Sequence, residues 1–387
     1  MKINVRHLAA RISLSLVNCR PPSWRWAGLG IAWGTFIPVA MADEEGLHGM
    51  GEQHKAASVR LYRTREEQRE AGLKREITPW LTISGLAEGE LLYLDYDALA
   101  GEATDSGIDK SANLQLGMEA ALFDVATAEI IFEYDTEERK ILTDEALLSL
   151  EKGEWELTLG KMYTPFGVFF SSFVTSPVIE FGETQADAVA LVSYEPDDNL
   201  EISLGLYKGV ARQKNKAGEE WSWVLGAEFW LHDGLSFGAS VQSDLADSDA
   251  GFLEENDNRY DGQTPAVSGF ILWVGESYEV SLEGLAAIGS FEELESDRNK
   301  PAAWNAEMVR FFTGADFEFA LRFEGSREVE DEPRYQYGAA ATWRAGKYAS
   351  LTMEFLHGEF DGDLAVTGDD KPYDHVNRVG AILSVEF

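Results

Sequence analysis

The stretch Asn377–Phe387, N-R-V-G-A-I-L-S-V-E-F, decides the fold of this chain. Counting back from the end, every second residue is apolar: Phe387, Val385, Leu383, Ala381 and Val379. Because successive side chains of a strand point to opposite faces, this pattern predicts a strand with one apolar and one mostly polar face. Ending on an aromatic is typical of the closing strand of a transmembrane β-barrel. The last strand of a soluble β-sandwich is the alternative.

The N-terminal part of the chain is predicted to be separate from any barrel. Residues 1–42 have basic residues followed by an apolar core, Ala27–Val39, and the small-x-small site Ala40-Met41-Ala42, which together predict a secretory signal peptide. Residues 43–77 are highly charged and are interpreted as a helical periplasmic leader, which is either solvated, part of a short coiled coil that assembles subunits, or a plug for the barrel. The remaining segment, 78–387, is assigned to an outer-membrane β-barrel.

Charge and cysteine content exclude several classes of function. The chain has 68 acidic and 32 basic residues and a formal net charge of −36, which argues against nucleic-acid binding and favours attraction of cations. Its single cysteine, Cys19, lies in the predicted signal peptide, so neither disulfides nor a thiolate metal site is expected after cleavage. No metal and no cofactor is predicted.

From Trp80 onward the sequence is a succession of segments with period-2 alternation. Sixteen such segments are predicted, at 80–93, 110–123, 125–135, 143–152, 154–161, 186–195, 199–208, 219–231, 234–242, 264–275, 277–289, 301–312, 316–326, 334–344, 347–357 and 377–387. Most have close to the nine to eleven residues that a tilted strand needs to cross a bilayer. The links alternate between short and long, as in outer-membrane barrels with short periplasmic turns and longer external loops. The predicted fold is therefore all-β: an antiparallel up-and-down barrel of about sixteen strands.

A barrel of this size leaves an aqueous channel, so the inward-facing residues bear on function. The alternation predicts a mostly acidic lumen, lined among others by Glu88, Glu90, Glu129, Glu133, Glu283, Glu318, Arg322 and Glu354. These carboxylates would attract cations, or would only keep the lumen hydrated.

The predicted third long loop, 162–185, differs from the other loops because it is aromatic rather than acidic. An apolar loop is not expected to remain in water, so it should fold into the barrel mouth as a constriction, or else pack on another subunit or on lipid. The predicted constriction residues are Tyr163, Phe166, Phe169, Phe170, Phe173, Glu180 and Glu183.

A resemblance to a known family rests on the same region. Gly160-Lys161-Met162-Tyr163-Thr164-Pro165-Phe166-Gly167, followed by Ser176-Pro177 and Gly182-Glu183-Thr184, resembles the LbtU-type siderophore porin family of Gram-negative outer membranes. The charged leader and the C-terminal Phe387 are also similar to that family's plan. The resemblance implies a sixteen-stranded porin connected with the uptake of ferric siderophores.

The function predicted from these features is a non-enzymatic porin of the bacterial outer membrane, for passive uptake of small solutes. The partners expected are membrane lipid and lipopolysaccharide, a small solute or ferric siderophore, and the barrel-assembly machinery through Phe387. The choice between monomer and homotrimer is left open.

Two alternatives to the channel remain. A barrel hydrolase would need His357 or His375 near Ser171 or Ser172, and the sequence shows no ordered triad that includes these residues. A structural or adhesive barrel would use the acidic loops 243–263 and 358–376, which lack the full spacing of a calcium loop.

Overall fold

The computed structural model describes residues 75–98, 105–135, 139–197, 199–214, 220–231, 234–252, 259–275, 277–294, 298–312, 316–345, 348–361 and 373–386. The predicted signal peptide, most of the predicted leader and Phe387 lie outside these residues, so what was assigned to them stays a prediction. Within the described residues, no helix has both the length and the apolar character needed to cross a membrane.

Sixteen strands of the described chain form a closed antiparallel barrel. They are β2 (Leu81–Ala98), β3 (Asp105–Phe123), β4 (Ala126–Asp135), β5 (Lys140–Lys152), β6 (Trp155–Tyr163), β7 (Gln185–Asp197), β8 (Leu200–Lys208), β10 (Trp221–Trp230), β11 (Leu235–Gln242), β13 (Ala266–Val274), β14 (Tyr278–Ala287), β15 (Ala302–Phe312), β16 (Phe317–Arg327), β17 (Tyr335–Arg344), β18 (Ala349–Glu359) and β19 (Tyr373–Glu386). Three short strands are added to these: β1 (Arg75–Thr78), β9 (Arg212–Gln213) and β12 (Arg259–Tyr260).

The barrel closes between its last strand and its first long strand. β19 pairs antiparallel with β2 from Tyr373 opposite Ala98 to Glu386 opposite Leu86. β1 then pairs with the start of β2, with Arg75 opposite Ile83, and so continues the ladder beyond the end of β19. Closure satisfies the hydrogen-bonding groups that an open sheet would leave at its edges.

The predicted fold class is confirmed, since each of the sixteen predicted segments overlaps one barrel strand. The largest difference is the first hairpin, where β2 runs to Ala98 and β3 starts at Asp105, so the predicted loop 94–109 shrinks to the link 99–104. Polar residues such as Asp95 and Asp109 make this extension look like a loop, but the ladder continues from Leu91 opposite Lys110 to Tyr96 opposite Asp105. β1 also begins three residues inside the segment assigned to the leader.

The links sort by length to the two ends of the barrel. Seven links of two to four residues join the strands at one end, at 124–125, 153–154, 198–199, 231–234, 275–277, 313–316 and 345–348. The links at the other end are mostly much longer and include 164–184, 209–220, 243–265, 288–301 and 328–334. We call these the short-turn end and the long-loop end.

The outer face of the barrel is apolar and has an aromatic belt near each end. Aliphatic side chains such as Leu114, Leu204 and Leu321 are exposed between the belts. The belt at the short-turn end contains Phe123, Trp155, Phe229, Phe237, Trp273, Tyr278, Phe312, Phe317, Trp343 and Tyr348, and the belt at the long-loop end contains Tyr93, Trp221, Trp223, Phe323, Tyr335 and Tyr337. Two such belts flanking an apolar band are the outer surface expected of a barrel set in a bilayer.

Candidate functional site

The link between β6 and β7, residues 164–184, lies inside the barrel, and we call it the interior loop. Its aromatic side chains are buried: Phe166 is fully enclosed, and Phe169, Phe170 and Phe173 are at most 5% exposed. Phe173 packs against Val309, Phe311, Ala320, Ala340 and Leu356, which lie on the inner faces of β15 to β18. Burial of these rings removes apolar surface from water, and this fixes which way the loop folds.

A tight bend starts the interior loop, and a short helix ends it. Gly167 has a φ of 83° and Phe169 a φ of 47°, and a Cβ added at Gly167 would lie 2.3 Å from the Phe169 ring. Glycine therefore allows the close approach of ring and backbone at this bend. Towards its end the loop forms a 3-10 helix, Val178–Gly182, which buries Val178, Ile179 and Phe181.

Two inward glutamates hold the first half of the interior loop. Glu283 on β14 accepts the backbone amides of Val168 at 2.8 Å and Phe169 at 3.1 Å, one on each carboxylate oxygen. Glu307 on β15 accepts the amide of Ser172 at 2.6 Å and the hydroxyl of Ser171 at 3.1 Å. These residues supply the acceptors that an irregular, buried backbone cannot find within itself.

Two further glutamates hold the second half of the loop. Glu354 on β18 accepts the amides of Val174 at 2.7 Å and Thr175 at 3.0 Å, and also the Thr175 hydroxyl. Glu324 on β16 accepts the amide of Val178 at 2.6 Å. We call the inner face that carries Glu283, Glu307, Glu324 and Glu354 the clamp wall, because its carboxylates follow the path of the loop.

Arg322 on β16 compensates part of the negative charge on the clamp wall. Its guanidinium lies 3.3 Å from carboxylate oxygens of both Glu307 and Glu324. It also donates to the carbonyl of Thr175 at 2.9 Å and stacks 4.2 Å from the centre of the Phe173 ring. All three ionic side chains are fully buried. Buried charges of this kind are tolerated only when they are paired and hydrogen-bonded.

A second buried ion pair lies nearer the short-turn end. Glu318 on β16 pairs with Arg344 on β17, and both side chains are almost completely buried. Glu283, Glu318, Arg322 and Glu354 thus differ from the expectation that they line a solvent-filled lumen. Glu283 and Glu354 bond to the loop backbone, Arg322 bonds to the loop and to Glu307 and Glu324, and Glu318 pairs with Arg344.

Loops at the long-loop end pack on the interior loop from outside. A hydrophobic cluster joins Phe166, Phe169 and Ile179 of the interior loop to Leu245 and Phe291 of the neighbouring loops. The ring of Phe252 lies 5.8 Å from Phe181 and 5.2 Å from Phe291, so the aromatic contacts run from the interior loop to the outer loops. This side of the barrel mouth is filled by side chains.

Two buried aspartates hold the covering loops in place. Asp244 accepts the amides of Ala246 and Thr264, both at 3.1 Å, and Asp247 accepts the amide of Ala211 at 2.9 Å. Burial raises the pKa of Asp244 to about 7, and the nearby negative charge of Asp247 adds to the shift. Burial likewise raises the pKa of Asp247.

Another part of the inner face has a different surface, which we call the exposed wall: the inner faces of β2 to β4 with Glu88, Glu90, Glu129 and Glu133. These four carboxylates are only half-buried. Glu88 accepts the Ser384 hydroxyl at 2.8 Å, and Glu133 accepts the side-chain amides of Asn113 and, at 3.4 Å, Gln115. Ser384, Asn113 and Gln115 are themselves wall side chains, and the four carboxylates keep part of their surface in contact with solvent.

The other predicted loop residues lie at the edges of the interior loop. Tyr163 ends β6, where its hydroxyl donates to Asp144 at 3.4 Å. Glu183 is buried and its carbonyl accepts the amide of Asp249 at 2.8 Å. Glu180 is half-buried. Its negative charge lies close enough to Glu332 to raise the pKa of that residue.

Glu332 lies in the loop between β16 and β17, where its carboxyl group interacts electrostatically with Glu180. The pKa of Glu332 is raised to about 8, mainly by burial and with contributions from the Glu324 and Glu180 carboxylates, while the positive charge of Arg378 on β19 opposes the shift. The boundary between the loop and the exposed wall therefore carries several acidic groups and one arginine.

The pairing of His357 or His375 with Ser171 or Ser172, considered for a barrel hydrolase, is not formed. His357 lies on the face of β18 that carries the exposed side chains Met353 and Phe355, and its ring stacks 5.7 Å from that of His375. Ser171 and Ser172 are inside the barrel and bonded to Glu307. Histidine and serine are therefore on opposite sides of the barrel wall, too far apart for proton transfer.

Among the described residues, no group of three or more His, Cys, Asp or Glu side chains converges in a way suited to a metal ion. The predicted acidic loop 243–263 uses Asp244 and Asp247 for structural hydrogen bonds. Residues 253–258 of that loop, and 362–372 of the loop 358–376, lie outside the described part of the chain.

Sequence reasoning did not pick out two of the important residues, Glu307 and Arg344. In β15 the inward set includes Ala303, Val309 and Phe311, while Arg310 faces outward, so polarity does not separate the two faces. The strict every-second-residue count from Asn305 would have placed Glu307 inside.

Comparison with known proteins supports the fold more than any particular activity. No model of a known protein family matches the chain. A curated relative, a UPF0422 protein of Coxiella burnetii (strain RSA 493 / Nine Mile phase I), is 27% identical over 203 residues, with 47% of this chain and 41% of that protein covered. The match spans less than half of the length of the relative.

Solved structures of porins are similar in fold. An anion-selective porin from Comamonas acidovorans has a TM-score of 0.59 at 10% identity and covers 79% of this chain and 99% of its own. OmpF of Salmonella typhi, in complex with daunomycin, has a TM-score of 0.59 at 12% identity and covers 81% and 100%. OmpT of Vibrio cholerae, in trimer form, has a TM-score of 0.50 at 11% identity and covers 79% and 99%. At these identities the likeness is one of fold.

Proposed function

We propose that this protein is a non-enzymatic diffusion channel of the bacterial outer membrane, through which small solutes cross passively. The observation that carries the proposal is the interior loop, held by four glutamates against one wall of a closed sixteen-stranded barrel. A loop fixed to one wall in this way is expected to narrow the lumen from that side. The apolar outer face with its two aromatic belts supports placement in a bilayer.

The solute path of this channel runs between the interior loop and the exposed wall. Glu88, Glu90, Glu129 and Glu133 are half-buried there, whereas the clamp-wall glutamates are covered by the loop. A surface with several carboxylates raises the local concentration of cations. The channel is therefore expected to prefer cations, and the half-buried Glu180 extends the acidic surface towards the mouth.

Planar-bilayer recording tests this function directly. Purified protein should form open pores, and its reversal potential in a potassium chloride gradient should show cation preference. Absence of conductance from correctly folded protein would overturn the channel, and anion preference would overturn the path along the exposed wall.

Ferric siderophores are the solute class favoured by the resemblance to LbtU-type porins, whose matching stretch 160–184 covers the interior loop. If they enter the lumen, adding a ferric siderophore to one side should interrupt the single-channel current, and the iron-free compound should interrupt it less. Equal currents with and without the ferric complex would leave a general cation-preferring pore.

A homotrimer is the assembly we propose, since OmpT of Vibrio cholerae shares the fold and is described as a trimer. Chemical cross-linking in membranes should then yield a trimer band that disappears on heating. A monomer alone, across a range of cross-linker concentrations, would contradict this.

A further inference from the structure

Arg310 is a charged residue on the apolar outer face of the barrel. In β15 the buried residues alternate with exposed ones, and Arg310 shares its face with Met308 and Phe312, which are 41% and 40% exposed. In the β14–β15 and β15–β16 ladders it is directly opposite Tyr278 and Phe319. The guanidinium therefore lies outside the barrel, in the aromatic belt of the short-turn end.

Aromatic rings are the neighbours that the structure gives this guanidinium. Its central carbon lies 4.5 Å from the centre of the Tyr278 ring and 5.3 Å from that of Phe312. Within the described part of the chain, no carboxylate and no hydrogen-bond acceptor is recorded with Arg310. The rings attract the cation through their faces, but they do not satisfy its five N–H donors.

The position along the strand limits what can satisfy those donors. Arg310 is two residues from the end of β15, and Tyr278 is the first residue of β14. A lipid-facing arginine is strongly destabilising at the bilayer midplane but costs little near the interface. At the short-turn end the guanidinium is thus at the level of the lipid headgroups, where phosphates are the abundant anions.

We propose that Arg310, held between Tyr278 and Phe312, binds the phosphate of a phospholipid headgroup in the leaflet at the short-turn end. The planar guanidinium matches two phosphate oxygens at once, and the flanking rings orient it while packing on the acyl chains. The site rests on the proposed membrane placement but not on conduction, because it lies on the outer face.

Lipid retention measured by native mass spectrometry tests the site. The full barrel, purified in detergent, is titrated with dioleoyl phosphatidylglycerol, and dioleoylglycerol with the same chains but no phosphate serves as the second probe. We expect Arg310→Gln to reduce retention of the phospholipid about tenfold, as the loss of one charge-assisted contact predicts. Retention of dioleoylglycerol should be the same in all variants.

Lys208 provides the matched control, because it is an exposed cation on the same outer face but at the long-loop end of β8. Lys208→Gln should retain the phospholipid as wild type does. Arg310→Lys keeps the charge but not the planar fork, and should lose less than Arg310→Gln; it also serves if Arg310→Gln fails to fold. Equal retention by wild type and both Arg310 variants, or an equal loss in Lys208→Gln, would overturn the site.

Conductance separates this proposal from the channel itself. All of these variants should conduct as wild type does, because Arg310 does not face the lumen. If the wild-type protein conducts but retains dioleoyl phosphatidylglycerol and dioleoylglycerol equally, only the lipid site is contradicted. If the folded protein binds the phospholipid through Arg310 but does not conduct, only the proposed channel function is contradicted.

Discussion

The clamp wall and the exposed wall carry the same residue type on the same inner face of one barrel, yet their glutamates do different things. On the clamp wall, Glu283, Glu307, Glu324 and Glu354 are buried and accept hydrogen bonds from the interior loop. On the exposed wall, carboxylates such as Glu88 and Glu133 bond to wall side chains and stay half-buried.

The difference between the walls shows that the loop determines the role of each carboxylate. An inward glutamate covered by irregular backbone becomes an anchor, because buried amides need acceptors. One that is left uncovered remains a charge that solutes encounter. An acidic inner surface in the sequence is therefore not the same as an acidic lumen.

Removing the positive charge of the clamp wall should have the largest effect. Arg322→Leu leaves Glu307 and Glu324 buried without their cation, and unpairing a buried ion pair costs about 3–5 kcal/mol. We expect a much lower thermal stability. It is measured by heating samples to increasing temperatures before electrophoresis and finding the temperature at which the band of the folded barrel disappears. Arg378→Leu, an inward but half-exposed arginine on β19, is the control and should lose little stability. A similar loss in both variants would mean that the clamp wall is not special.

Cutting one anchor should free the loop while the barrel stays intact. Glu354→Ala removes the acceptor of the Val174 and Thr175 amides and of the Thr175 hydroxyl, and an unsatisfied buried donor costs about 1–3 kcal/mol. Single-channel recordings should show larger and noisier currents. Glu88→Ala on the exposed wall is the matched change and should leave the noise unaltered. Quiet, wild-type currents from Glu354→Ala would show that the loop does not depend on this glutamate.

Charge selectivity should respond to the other wall. Glu90→Gln together with Glu133→Gln should shift the reversal potential in a salt gradient towards lower cation preference, because these carboxylates are half-exposed to the solute. Glu283→Gln should shift it less, since that side chain is covered by the loop, and screening at ~0.15 M salt weakens distant charges beyond about 8 Å. A greater shift from Glu283→Gln than from the double variant would reverse the assignment of the two walls.

The smallest effect concerns the loops that cover the clamp wall. In the folded protein the pKa of Asp244 is about 7, against an ordinary value of 3.8. At pH values between these two, Asp244 is therefore protonated in the folded loop but mostly ionised in the unfolded loop. Its stability should fall as the pH rises from about 4 to about 7. Deuterium exchange in peptides from 243–265, corrected for the intrinsic rate, should be slower at pH 5 than at pH 8. Asp244→Asn should flatten this dependence; an unchanged dependence in the variant would assign it to another group.

Much of the barrel could be predicted from local pattern. The alternation in β4, with Ile130 and Phe132 on one face and Glu129 and Glu133 on the other, is readable without knowing any neighbour. β15 is harder to read, because the charged Arg310 lies on the outer face and the aromatic Phe311 on the inner face, so polarity alone does not indicate that Glu307 points inward. The length of the first hairpin is harder to predict, because its acidic residues suggest a loop although β2 and β3 continue to pair through them.

The sequence by itself determined the number of strands, the inward and outward faces of most of them, and the presence of an aromatic loop that would not stay in water. These follow from the period of a strand and from the length of the links, which are local properties. Only the tertiary structure decided which glutamates anchor that loop, since Glu354 meets Val174 across 180 positions of the chain. Contacts between residues so far apart in sequence depend on the path of a loop without regular structure, and no repeating pattern specifies that path.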